Sequence, residues 1–268
     1  LIDLYRLECR LMPVLLNMRK NGVPISRERL NRNASIVNDT LRKKQKELET
    51  KYGKFNFNSG KQIAKVLDYL DVPYEVKEGT GNPILDKKVL SRMSHPIGKE
   101  ILAVRKHHKT LNTFFINAFN DLAVGNRIHA IFSPLKSDGG GTVSGRFSGS
   151  KPNLQQVTAV DDKEDSEDLG MLARGIFVPE EGKVWGKIDY SQIEYRLIAH
   201  FAQGPRSEEV RKEYNEDPST DYHALIMNWT GLDRKNAKRL NFGAAYSMGA
   251  AACSDTFGWT LEESRELL

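Results

Sequence analysis

The chain has 268 residues, 40 Lys and Arg against 35 Asp and Glu, and a formal net charge of +5. Apolar residues make up 39% and charged residues 28%, which excludes a disordered tail and leaves room for one large or two ordinary domains. No run approaches the ~18–20 apolar residues of a membrane span, and the first residues do not have the pattern of a signal peptide. Cys9 and Cys253 are too few for a Cys₄ zinc site or a disulfide framework, and are expected to be buried thiols in a reducing compartment.

Charge is divided unevenly. Residues 1–125 carry 23 basic and 13 acidic side chains, net +10, whereas residues 126–268 carry 17 and 22, net −5. A basic half joined to an acidic half fits a nucleic-acid grip attached to a carboxylate-bearing site, although basic faces are often merely solvated.

Helical spacing of Leu4, Leu7, Leu11, Val14, Leu15 and Met18 predicts a first helix over 3–20 that Asn21-Gly22 ends, with Pro13 marking a kink or its true start. Ser26 should cap a long helix with Leu30, Ala34, Val37, Leu41 and Leu48 on one face and Arg27, Arg29, Arg32, Arg42, Lys43, Lys44 and Lys46 on the other. Ser59 and Gln62 form a capping-box pattern before the next helix, and Asp86 caps a short one. Ile97, Ile101, Val104, His108, Leu111, Phe115, Ala118 and Leu122 predict another long helix, so residues 26–125 read as a helical, basic arm. The pattern then changes. "RIHAIFSPL" alternates like a strand, the Gly/Ser-rich segment to Val157 reads as an ordered loop, and the acidic run 161–168 reads as a solvated loop. "KVWGKIDY" predicts a buried strand, followed at once by a helix over "SQIEYRLIAHFA"; "GLDRKNAKRLNFGAAYSMG" is helical again.

Candidate chemistry collects in the second half. Asp189 ends the apolar strand just before a helix, where a carboxylate can ligate a divalent metal or cap the helix. Glu194, five residues on, could share that cleft or pair with Arg196 or Lys187. Arg234, Lys238, Phe242 and Tyr246 are spaced by four, which makes one slightly slanted stripe about 18 Å long. Two cations and then two aromatics suit a triphosphate followed by a sugar and base; an amphipathic helix with a solvated basic end gives the same periodicity. Gly243 within the stripe permits close approach of something bulky. His223 stands near a helix start, where it is either structural or a ligand contact, and Arg146 in the Gly/Ser loop is either a nucleic-acid contact or solvated.

Taken together, these segments resemble a known family. "DYSQIEYRLIAHFA" (189–202) resembles motif A of the family A, DNA polymerase I-like enzymes, and "RKNAKRLNFGAAYSMG" (234–249) resembles their motif B. "TVSGRFSGSKPNLQQV" (142–157), "FNFNSGKQ" (55–62) and "GNRIHAIF" (125–132) resemble further landmarks in the same order. The resemblance implies an α+β right-hand polymerase fold fragment: a palm-entry helix (1–25), a helical thumb (26–125), a partial antiparallel palm sheet (126–203) and the start of helical fingers (204–268). It implies that Asp189, with the Tyr190 carbonyl, ligates two Mg²⁺ ions, and that Glu194 excludes a ribose 2′-hydroxyl. Arg234, Lys238 and His223 would hold the triphosphate, with Lys238 the proton donor to pyrophosphate. Phe242 would stack on the sugar and reject dideoxynucleotides, and Tyr246 would guard the template base. Arg146 and Gln192 would lie near the primer terminus or nucleotide sugar, Asn153 against DNA, and Lys43 and Lys44 on the thumb against duplex phosphates. Primer–template DNA and deoxynucleoside triphosphates are the implied partners, and a bacterial or phage-infected cytoplasm, at the nucleoid, the implied setting.

The same resemblance implies a third motif, His-Asp-Glu, after motif B; that triplet does not occur in this sequence. "VSGRFSG" and "YSMG" are variants of the family pattern, and suggest a divergent, phage-like member. The chain is therefore expected to be part of a longer polymerase, inactive by itself. A split polymerase whose missing palm and fingers segment acts in cis or in trans, or a non-catalytic DNA-binding relic, are the alternatives.

Overall fold

A computed structural model describes residues 2–137, 140–160, 168–203 and 207–267, apart from the side chains of Leu225 and Trp229. Most of the acidic run, 161–167, lies outside the described residues. The chain forms two compact units, Leu1–Trp185 and Gly186–Leu268.

The first unit begins with α1 (Ile2–Asn21), which runs through Pro13 rather than starting there. Gly22, at φ 62°, ends it in the left-handed region as Asn21-Gly22 predicts. Of the apolar stripe on α1 only Leu15 is buried. Cys9 is exposed on this helix, contrary to the expected buried thiol, because the helix exposes nearly its whole circumference; Cys253 is buried as expected. After β1 (Val23–Pro24) comes α2 (Arg27–Tyr52), where the Ser26 hydroxyl accepts from the Arg29 backbone N–H at 3.2 Å. Leu30, Val37, Leu41 and Leu48 are buried as the periodicity requires. The opposite face is not uniformly free. Arg27 donates to the Gly125 and Ala123 carbonyls, and Arg29 to Gly175 O, while Arg42, Lys43 and Lys46 remain exposed.

Ser59 caps α3 (Gly60–Tyr69), and Asp86 caps α4 (Lys87–Arg92), as predicted. The capping box at Ser59 is only half formed: Gln62 reaches back to the Asn56 N–H, not to Ser59. α5 (Ile97–Lys109) continues into a π-helix, Thr110–Asn120. Its buried residues fall in pairs at every fourth position: Thr110 and Leu111, Phe114 and Phe115, Ala118 and Phe119. The wider i→i+5 turn keeps these pairs on one face. The predicted stripe departs at two places outside the π-helix: within α5 His107, not His108, is buried, and Leu122 is exposed in the turn that follows Asn120. Phe119 is fully buried, with rings of Phe114, Phe115 and Phe177 at 5.4–6.0 Å.

β2 (Ala123–Val124) and β3 (Arg127–Ile128) form an antiparallel sheet with β1 in the order β1-β3-β2, in which Ile128 faces both Val23 and Ala123. β4 (Ile131–Ser133) and β5 (Ser148–Ser150) make a second antiparallel pair. The predicted strand over "RIHAIFSPL" is thus two short ones. A 3₁₀ turn (Leu154–Gln156) and α6 (Leu169–Arg174) complete the unit.

The predicted buried strand at 183–190 does not form. The segment is irregular and exposed, with Val184 at 89% and Ile188 at 99%. A strand is stable only beside another strand, and none of the described strands pairs with these residues.

The second unit is helical: α7 (Ile193–Phe201), α8 (Ser207–Glu216), α9 (Tyr222–Thr230), α10 (Arg234–Ala245), α11 (Ala250–Phe257) and α12 (Leu261–Leu267). Asp221 caps α9 and Asp233 caps α10. Thr260 and Glu263 form a reciprocal capping box before α12.

Phe119→Ala should lower the stability of the first unit by about 3–5 kcal/mol, the cost of a large core cavity. Denaturant unfolding should show a lower midpoint at unchanged slope.

Candidate functional site

α7 does not begin at once after the predicted strand. Its N-terminal flanking residue is Gln192, held in the left-handed region at φ 52°, ψ 37°, with no side-chain cap bond. This places Asp189 three residues outside the helix flank, so it is not the helix cap. Asp189 and Tyr190 are exposed, Tyr190 at 80%. The Gln192 amide is used internally: Nε2 donates to Thr220 O at 2.9 Å, while Oε1 accepts from the Tyr222 N–H at 2.9 Å and the Tyr214 hydroxyl at 3.2 Å. It fastens the turn after Asp189 to the start of α9.

The neighbouring residue pair does the rest. Glu194 Oε1 accepts from the Tyr246 hydroxyl at 3.2 Å. Arg196 instead donates to the Ser191 carbonyl. Tyr195 turns inward, 5% exposed, and packs on three rings: stacked on Tyr222 at 5.3 Å, edge-on to His223 at 5.0 Å and tilted to Phe242 at 5.3 Å.

α10 carries the four-residue stripe. Arg234 pairs with Asp221, Lys238 Nζ lies 5.8 Å from the centre of the Phe242 ring, and Phe242 stacks on Tyr246 at 6.4 Å and 15°. Tyr246 sits at the C-cap, not within the helix. Gly243 does admit something bulky, and it is the side chain of Met248: a Cβ there would lie 2.3 Å from Met248 Cε. On the buried face Asn241 Nδ2 lies 2.9 Å from His223 Nδ1, with both residues buried. His223, Phe242, Tyr246, Glu194 and the two cations thus belong to one cluster on α7, α9 and α10.

Burial holds the His223 imidazole below its ordinary value of 6.5; Asp221 opposes this, and Arg234 and Lys238 reinforce it. Burial alone would raise the Asp221 carboxyl, but the Arg234 guanidinium and the His223 N–H hold it below the usual range. Burial pushes the Tyr195 hydroxyl up to about 12.

Arg146, Asn153, Lys43 and Lys44 belong to the first unit. Arg146 and Lys43 are exposed, and Lys44 is half-buried. Asn153 Oδ1 accepts from the Gln155 N–H at 3.1 Å, so part of its side chain caps the 3₁₀ turn. Among the described residues no group of three or more His, Cys, Asp or Glu side chains could hold a metal ion. Mg²⁺ demands near-octahedral oxygen coordination, and one exposed Asp189 with Glu194 already bonded to Tyr246 does not supply it. The residues present do not fit a pair of Mg²⁺ ions.

Sequence patterning passed over Tyr195, Asn241 and Asp221. A polar Asn on the same face as buried Ala237 and Leu240 is the signal that could have found Asn241. Asp before "YHALI" is the cap signal that could have found Asp221.

The fold is that of a DNA polymerase domain: the chain superposes on the polymerase domain of Pol1 from M. smegmatis, solved in complex with DNA primer-template and dNTP, with a TM-score of 0.78 at 24% identity, covering 97% of this chain and 46% of that one. Residues 27–268 match the description of DNA polymerase family A, and the chain belongs to that family. It is 32% identical to a DNA-directed DNA polymerase of Pseudomonas phage M6 over 92% of this chain and 39% of the relative. It is 33% identical to the thermostable DNA polymerase I of Thermus thermophilus over 94% of this chain and 30% of that protein. The chain spans less than half the length of each of these relatives.

Because the folded His223 ring takes up a proton less readily than the unfolded one, it costs nothing above its ordinary value of 6.5 and weakens the fold as pH falls below it. Unfolding midpoints measured at about pH 8 and about pH 5.5 should show this loss, and His223→Gln should remove its share.

Proposed function

We propose that this chain carries the nucleotide-binding part of a template-directed DNA synthesis site, in which a deoxynucleoside triphosphate is joined to a primer 3′-hydroxyl and pyrophosphate leaves. The observation that carries this is the convergence of two cations, a buried imidazole and the Phe242–Tyr246 stack beside Glu194. Arg234, Lys238 and His223 bind triphosphate oxygens through N–H donors. Lys238 supplies the proton that pyrophosphate takes on leaving. Phe242 offers its face to the incoming sugar, with Tyr246 beside the template position. The Tyr246 hydroxyl holds Glu194 where its carboxylate rejects a ribose 2′-hydroxyl sterically and by desolvation.

Asp189 contributes one carboxylate to the primer side of the reaction. Residues 1–25 act as the palm-entry helix, 26–125 as the thumb, 126–203 as part of the palm and 204–268 as part of the fingers. The exposed cations of α2, among them Lys43, contact duplex phosphates, with Lys44, Arg146 and Asn153 also on the DNA side. The primer-template and dNTP held by the M. smegmatis polymerase domain support this assignment of partners. The 268-residue chain alone is expected to extend primers little or not at all, with the missing palm and fingers segment acting in cis or in trans.

Primer extension by the protein as its gene encodes it tests the reading. Arg234→Ala and Lys238→Ala should each raise the KM for dNTP by roughly 10–100-fold, the value of one charge-assisted bond. Unchanged KM in both would overturn the assignment. Lys43→Ala with Lys44→Ala should weaken primer–template binding uniformly across sequences and reduce its salt slope by about 2.

A further inference from the structure

We propose that Asn241 is a positioning residue whose side-chain amide keeps His223 in the neutral tautomer with its proton on Nε2, so that the ring presents an uncharged N–H to the triphosphate. This inference rests on the nucleotide-binding reading above.

Asn241 lies on the buried face of α10, 6% exposed, beside Leu240 at 5%. A buried amide must find a partner, and here the partner of Nδ2 is His223 Nδ1 at 2.9 Å. An amide nitrogen can only donate. Nδ1 must therefore carry a lone pair, and a neutral imidazole must then carry its proton on Nε2. A protonated ring would set one N–H against another. Nε2 is engaged by none of the hydrogen bonds among the described residues.

Burial and the cations around the ring disfavour its protonated form, and Asp221 opposes them. On α9, His223 is the second residue of the helix, where the positive end of the helix dipole disfavours a cation. On α10, Arg234 and Lys238 are like charges to an imidazolium, and on α7 the uncharged Tyr195 packs edge-on to the ring. Among the described residues Asp221 is the one anion whose charge acts on it. Its carboxylate is already committed, to the Arg234 guanidinium and to the His223 and Ala224 N–H groups. Tyr195 and Phe242, 5.0 and 6.3 Å from the imidazole centre, limit the ring's rotation and so the direction of Nε2.

The consequence is functional. A histidine that bound phosphate as a cation would lose its hold as pH rose through about 6.5. A ring locked as the Nε2–H tautomer donates without taking up a proton, so its contribution is constant across neutral pH.

Long-range proton–nitrogen correlation spectra of the protein as its gene encodes it, labelled at histidine, read the tautomer directly. The His223→Gln variant identifies the signal. The expected result is a bare Nδ1 and a protonated Nε2; a proton on Nδ1 overturns the proposal. This reading needs no substrate and no variant at Asn241, so it succeeds or fails apart from the nucleotide-binding reading, which primer extension decides.

Steady-state kinetics supply a second arm. Asn241→Asp replaces the donor by a carboxylate that draws the proton onto Nδ1. Its KM for dNTP should climb about tenfold or more as pH rises and the ring comes to present a bare Nε2 to phosphate, whereas the unmodified protein stays flat. Combining Asn241→Asp with His223→Gln should abolish the slope. A flat profile in Asn241→Asp, or an equal slope without His223, overturns the proposal.

Discussion

Much of the second unit depends on where one ring goes. The Tyr195 side chain meets Tyr222, His223 and Phe242 at once, and in doing so closes α7 against α9 and α10. Its hydroxyl is buried without a hydrogen-bond partner, a loss of about 1–3 kcal/mol. Three ring contacts at roughly 0.5–1.5 kcal/mol each, beyond the area they bury, offset it. Because Tyr195 points inward, Glu194 beside it is carried to the Tyr246 hydroxyl. One packing decision thus sets the position of the carboxylate, the imidazole and the aromatic stack together.

Polar side chains that look like ligand contacts in the sequence are largely spent on the chain itself. Gln192 makes three hydrogen bonds to residues 214–222, and Arg27 and Arg29 bind backbone carbonyls far along the chain. Arg234 is paired with Asp221, the cap of α9. The physical cause is common to all of them. Loops and helix ends leave backbone groups unpaired, and a nearby amide, guanidinium or carboxylate is the means of satisfying them. Cations free of such duties, such as Arg42, Lys43 and Lys46 on α2, are the ones left to face an anionic partner.

The family and the motif order were legible without coordinates because they are local strings: 189–202 and 234–249 each carry their chemistry within a few helical turns. Caps were legible for the same reason. Ser26, Ser59, Asp86 and the helix end at Asn21-Gly22 stand as read, since each rests on residues within four positions of one another. The strand at 183–190 was misread because a short apolar run states only that a segment could be buried. Whether a strand exists depends on a neighbouring strand, and none of those described pairs with it. The stripe of α5 and the π-helix holds from Ile97 to Ala118 except that His107 takes the place of His108, and it stops short of Leu122 because the helix ends at Asn120.

Sequence alone determined the helical basic arm, the caps and the one-face stripe from Arg234 to Tyr246, because periodicity and capping act over single turns. Only tertiary structure decided that Gln192 is a bracket, that Asn241 meets His223 across 18 positions, and that Glu194 meets Tyr246 across 52. Those contacts join helices through buried side chains, and a pattern along one chain carries no information about which of its buried polar groups will face each other.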